Sequence, residues 1–165
     1  MRLVKWAMEK SRSNSKLPIE IDVGFISVAN VYNNTELRDK IKAKYTFKDI
    51  LTYKDHYKSK YLMVIDGHSW VSRFQPFLFS KSLVFLSSYF VEWFSFLTRP
   101  WYHYVPVDLS LKDLEKNLMW AHENNDQAKL IAKRASKLAH KHLNFNAMKC
   151  YTGLLLLEYA DLLIL

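Results

Sequence analysis

In the stretch "YLMVIDGHSWVSRF", residues 61–74, an apolar run ends on Asp66 and Gly67, and an arginine, Arg73, follows six residues after the glycine. Only three glycines serve the 165 residues, so bare backbone at this point asks for a reason. Without a Cβ, glycine turns with φ above zero and lets a ligand come close to main-chain N–H groups. The following "SRFQPFLF" predicts the opening of a helix, whose first amides favour an anion. Arg73 adds a permanent charge and a fork of donors that can grip a diphosphate in two places. Strand end, glycine, helix start and arginine thus suit the phosphates of a nucleotide. A plain turn with a solvent-facing arginine has the same pattern, because these residues lack the specificity of a full glycine-rich loop.

Those residues do chemistry only if the fold brings them to an edge. Segments 19–25 ("IEIDVGF"), 61–65 ("YLMVI") and 82–87 ("SLVFLS") read as short buried strands, brief apolar runs bounded by polar or breaker residues. "HYVPV", residues 103–107, is a fourth, with Pro106 near its end, where a missing N–H does least harm. Helical character lies between them, so the expected fold is α/β, a parallel sheet with helices on its faces. Ligands of such sheets bind beyond the carboxyl ends of the strands, and Gly67 stands at such an end.

The last third changes character. From Ser110, Leu111, Leu114, Leu118 and Ala121 recur at helical spacing, and Ser110 with Asp113 forms a candidate capping box. A second helix follows "ENND", with Ala128, Ile131, Ala135, Leu138 and His142 on one face. A third runs over 147–163 with Tyr151, Leu154, Leu155 and Tyr159 expected toward the core. These helices are expected to form a C-terminal cover on the sheet. No internal repeat or low-complexity linker breaks the chain, which reads as one domain over 1–165.

Half of the residues are hydrophobic, enough to bury a core. Lys and Arg number 24 against 16 Asp and Glu, which favours an anionic partner. Residues 1–60 hold 13 basic and 7 acidic side chains, the remainder 11 and 9, and the lysines of "LRDKIKAKY" read as a solvated helix face, so no nucleic-acid partner is expected. The single cysteine, Cys150, excludes an internal disulfide framework and reads as a buried inert thiol in an apolar helix. "NNT" at 33–35 matches a glycosylation acceptor. No signal peptide is visible in "MRLVKWAMEKSRSNSK", and "SLVFLSSYFVEWFSFL" is too short and mixed to span a membrane. His140 and His142, two apart on a helix, share no face for a metal. Trp101 and Tyr104 of "RPWYHYVP" read as core.

Taken together, Lys60 to Leu62, Asp66 and Gly67, Arg73 and Phe74, Ser82 to Phe85, Glu92 and Trp93, Pro100 to Pro106, Asp113 and Leu114, Ala128 to Ala132, Cys150 and Tyr151, and Glu158 to Ala160 stand in an order and spacing that resembles a known family. It is the C-terminal half of the Rumi-type protein O-glycosyltransferases, glycosyltransferase family 90, which includes fungal capsule-associated proteins; the match is best over 57–163. The resemblance implies a Rossmann-like parallel sheet, the C-terminal donor-binding lobe of a GT-B transferase, and a uridine-diphosphate sugar as donor. It assigns His68, Ser69, Trp70, Val71 and Ser72 to nucleotide contact and Arg73 to the diphosphate; Gly67 joins them as the point of close backbone approach, and Glu92 reads either as an acceptor for a ribose hydroxyl or as a surface glutamate. No metal or other cofactor is expected, because preorganised donors can carry the leaving charge.

The family's proposed general base belongs to an N-terminal acceptor lobe with no counterpart here, so no catalytic residue is assigned. Asp66 is expected to hold its own turn through local backbone N–H groups. The resemblance further implies a protein or glycan acceptor, glucose or xylose as the sugar, and the lumen of the secretory pathway. A chain of this length is expected to be a fragment or truncated relative, inactive alone. The alternative is a non-catalytic basic α/β interaction module, for which the charge excess before residue 60 speaks.

Overall fold

The computed structural model describes residues 2–12, 17–26, 34–67 and 69–163. Helices α1 (Arg2–Arg12), α2 (Thr35–Lys44) and α3 (Tyr53–His56) precede strand β1 (Tyr61–Ile65). A short helix α4 (Phe74–Leu78) leads to β2 (Leu83–Ser87), and a 3-10 turn (Ser95–Leu97) to the two-residue β3 (Val105–Pro106). Helices α5 (Leu114–Glu123), α6 (Asn125–His142) and α7 (Phe145–Leu163) complete the order.

The sheet is parallel throughout, in the order β1-β2-β3. Its register pairs Tyr61 with Leu83 and Ile65 with Ser87, then Phe85 with Val105. Side chains alternate across the pleat. Leu62, Val64 and Val84 therefore meet one apolar cluster, with Phe74, Phe77 and Leu78 of α4, Phe94, and Ala135 and Ala139 of α6. Leu83, Phe85 and Val105 meet a second, with Leu114, Leu118 and Ala121 of α5 and Ala128 and Ile131 of α6. Both faces are covered, which is why the strand sequences are apolar runs rather than alternating ones. Helix α6 serves both clusters, and all but one of its buried positions, Ala128, Ala132, Ala135, Ser136 and Ala139 beside Ile131, are small enough for close approach.

The α/β class, the strand at 61–65, the strand expected at 82–87 (found at Leu83–Ser87) and the existence of three closing helices match the expectation, whereas the strand expected at 103–107 shrinks to Val105–Pro106. Residues 19–25 do not form a strand. They make one parallel bridge, Phe25 to Phe47, and the Phe25 ring packs on Tyr45 and Phe47, so this backbone finds its partner in residues 46–48 instead of the sheet. Helix α2 buries no residue, as a solvated face requires. Helix α1 packs Leu3 and Trp6 on the second cluster and pairs Lys10 with Glu115 of α5.

Several finer expectations fail. The Ser110–Asp113 capping box is absent: Asp113, at the N-cap of α5, makes no side-chain cap bond. Its Oδ1 accepts from the Asp108 N–H instead, while Asp108 accepts from Ser110. His142 is exposed rather than core, and His140 hydrogen-bonds the Ser136 carbonyl across 2.8 Å. Trp101 is partly exposed and lies against Trp120, its φ of 59° fixed by a tight turn in which its N–H donates to the Tyr104 carbonyl; Tyr104 is half-buried against the first cluster.

The largest departure is α7. It buries no residue: Leu154, Leu155 and Tyr159, expected in the core, are more than half exposed, and Cys150 is an exposed thiol. Four consecutive leucines, 154–157, point around the whole helix, so no single face could be turned to the sheet. The helix is attached near its start, where Tyr151 stacks on Trp93 at 4.6 Å and Gln75 reaches Met148. Among the described residues no helix is long and apolar enough to cross a membrane. Asn33 of the acceptor pattern lies outside the described residues.

Candidate functional site

Strands β1 and β2 end level with one another, at Ile65 and Ser87. Two exit loops start there side by side. The first, residues 66–73, carries all but one of the expected site residues, and the second, 88–97, carries Glu92.

Apolar side chains hold the first loop at its far end: Val71 is buried, and Phe74 packs against Phe94 and Tyr104 in the first cluster. Gly67, Trp70, Ser72 and Arg73 are exposed and Ser69 is half-buried, while His68 lies outside the described residues. Val71, expected at the nucleotide, is instead the loop's anchor in the core.

Gly67 turns without a positive φ, contrary to expectation, and a Cβ built on it would meet nothing within 4 Å. Among the described residues neither backbone strain nor packing requires glycine there, which leaves open space above its backbone. Helix α4 is a single turn with Pro76 inside it, and Arg73 at its N-cap makes no side-chain cap bond. So few aligned peptides supply little dipole. The anion argument therefore rests on Arg73 and loop backbone, not on a helix terminus.

Among the described residues the Arg73 guanidinium has no hydrogen bond or ion pair. Its field reaches His56 of α3, whose ring packs 5.3 Å from Phe77, one turn further along α4. Burial first, and the Arg73 charge second, lower the His56 pKa from its ordinary value.

Asp66 departs most from its expected role. Its Oδ1 accepts the Ser88 hydroxyl at 2.7 Å and its Oδ2 the Tyr89 N–H at 2.6 Å. Both oxygens thus bond the exit of β2 rather than the aspartate's own turn. Ser88 Oγ in turn accepts the Phe90 N–H. Glu92 is half-buried, with its N–H donated to Ser95 Oγ, and its carboxyl pKa is raised, first by burial and then by the charge of Asp66. The structure brings Asp66 and Glu92 into one electrostatic neighbourhood, and places His56 within reach of the Arg73 charge. His56, Ser88 and Tyr89 were missed in the sequence. The polar pair "SS" directly after "VFL" was the available signal, since parallel strands of equal length put Ser88 level with Asp66.

With this geometry in view, similarity to known proteins becomes informative. A family model described as glycosyl transferase family 90 matches residues 14–165. Protein O-glucosyltransferase 1 of Rattus norvegicus is 38% identical over 110 residues, 66% of this chain and 28% of that protein. Protein O-glucosyltransferase 3 of Homo sapiens is 34% identical over 113 residues, 68% of this chain and 22% of that protein. Protein O-glucosyltransferase 2 of Danio rerio is 33% identical over 113 residues, 68% of this chain and 23% of that protein. The chain thus spans about a quarter of the length of the relatives it matches.

Proposed function

Because this chain belongs to glycosyl transferase family 90, we propose that it is the donor-binding part of a protein O-glycosyltransferase, a Rossmann-like lobe of GT-B architecture that holds a uridine-diphosphate sugar. The observation that carries the reading is the outward-facing loop at the carboxyl end of β1, where an unobstructed Gly67 and an exposed Arg73 share one short segment.

In the reaction, an acceptor hydroxyl oxygen bonds to the sugar's anomeric carbon as the bond from that carbon to the diphosphate breaks. The acceptor proton passes to a base, for which no residue of this chain is assigned. Negative charge accumulates on the departing diphosphate, and donors already aimed at it lower the barrier. Arg73 supplies the permanent charge, and the loop amides together with the hydroxyls of Ser69 and Ser72 supply neutral donors. This reading gives charge neutralisation to Arg73 and needs no metal. Trp70, 61% exposed, offers an indole face to the uracil or ribose. The Glu92 carboxyl accepts from a ribose hydroxyl. Family membership points to a protein or glycan acceptor and to the secretory lumen.

The test is calorimetric titration of uridine diphosphate and its glucose and xylose conjugates into the wild type and Arg73→Ala. Removing a charge-assisted hydrogen bond to the diphosphate weakens binding about tenfold to a hundredfold. Equal affinity in both proteins, or no binding to the wild type, overturns the reading.

A further inference from the structure

Past Ile65 and Ser87 no backbone pairing continues the β1–β2 ladder among the described residues. The two exit loops are joined there by the side chain of Asp66, through Ser88 and Tyr89. From this we infer that Asp66 is a positioning residue for the nucleotide: it clips the start of the donor loop to the exit of β2 and so sets where the Gly67 backbone and Trp70 stand. The inference rests on the donor-site reading above and goes beyond it by naming what holds that site in shape.

Three features carry it. The loop's other anchors, Val71 and Phe74, lie at its far end, so exposed Gly67 and Trp70 have Asp66 as their near support. Both carboxylate oxygens accept charge-assisted hydrogen bonds, the stronger kind, and the two donors differ, one a side chain and one a backbone N–H. Finally, a carboxylate beside a diphosphate is repulsive unless its charge is engaged elsewhere. Here both oxygens face the β2 exit, and the loop backbone is left to the ligand. The same clip brings the Glu92 segment alongside, since Glu92 lies within the field of Asp66.

A loop that must be ordered by its ligand binds more weakly by the fraction of time it is already in place. The experiment titrates uridine diphosphate into the wild type, Asp66→Asn and Ser88→Ala, with melting curves and amide nuclear magnetic resonance spectra on each. An asparagine keeps the shape but removes the charge, so the Tyr89 N–H loses its charged acceptor and Ser88 must turn its hydroxyl to accept from the amide. Asp66→Asn is expected to bind about ten- to a hundredfold more weakly, with the Tyr89 amide resonance displaced. Ser88→Ala, which keeps the carboxylate, is expected to lose about three- to tenfold. The double variant is expected to bind no more weakly than Asp66→Asn, because the two changes remove a shared interaction.

Should Asp66→Asn fail to fold, Ser88→Ala decides. Wild-type binding with unchanged affinity in the folded variants overturns this inference alone. Absence of binding to the wild type overturns the donor-site reading and this inference with it.

Discussion

Replacing Gly67 by alanine separates what the fold needs from what a ligand needs. Among the described residues a Cβ at this position meets nothing within 4 Å, and the residue's φ lies outside the left-handed region. The folded state therefore accepts the methyl without strain, while the unfolded chain loses conformational freedom, so Gly67→Ala is expected to stabilise by about 0.4–1 kcal/mol. For a domain of this size that raises Tm by roughly 1–4 °C, read by differential scanning calorimetry. In the proposed donor site, the same methyl stands where the diphosphate would approach the loop backbone. Crowding a fitted contact by one carbon costs about 1–3 kcal/mol, or roughly five- to a hundred-and-fifty-fold in affinity for uridine diphosphate. Stability and binding thus move in opposite directions. A fall in Tm of more than about 2 °C refutes the open-backbone reading, and a raised Tm with unchanged affinity refutes the ligand's approach to Gly67.

Phe94 is fully buried between Phe74 and Trp93, so Phe94→Ala is expected to cost about 3–5 kcal/mol in chemical denaturation and to loosen the loop that carries Glu92. His103 is buried, its Nδ1 accepts the Arg99 N–H, and its pKa is lowered by burial first and then by Arg99 and Arg134. The unfolded chain therefore takes up a proton there more readily than the folded one, and stability is expected to fall as pH drops below the ordinary histidine value of 6.5. A His103→Gln variant should flatten that part of the Tm–pH curve. Asp108, held to about 2 by Ser110 first and then Lys112, contributes stability that is present above the ordinary carboxylate pKa of 3.8 and lost as pH falls toward 2; Asp108→Asn melts should lack that step. Leu154→Gln and Leu157→Gln, on the exposed α7, are each expected to change unfolding free energy by less than about 0.5 kcal/mol.

The α/β class, strands β1 and β2 and helices α5 and α6 were legible in the sequence because apolar periodicity records which faces are buried, whereas the strand expected at 103–107 proved to be only Val105–Pro106. The strand exit at 66–73 was legible because an apolar run ends on Asp66 and Gly67, and the family because Asp66, Gly67, Arg73 and Phe74 stand in fixed order within a longer pattern. Local sequence could not say which partner each group would find. Asp66 bonds Ser88 and Tyr89, more than twenty residues away, because two parallel strands end level. Residues 19–25 had the composition of a strand, yet their nearest backbone was at 46–48. Helix α7 had core-like leucines at every azimuth, and azimuth alone cannot say what lies opposite. Burial pattern is written residue by residue, whereas hydrogen-bond partners and packing surfaces belong to pairs, and pairs exist only once the chain has closed on itself.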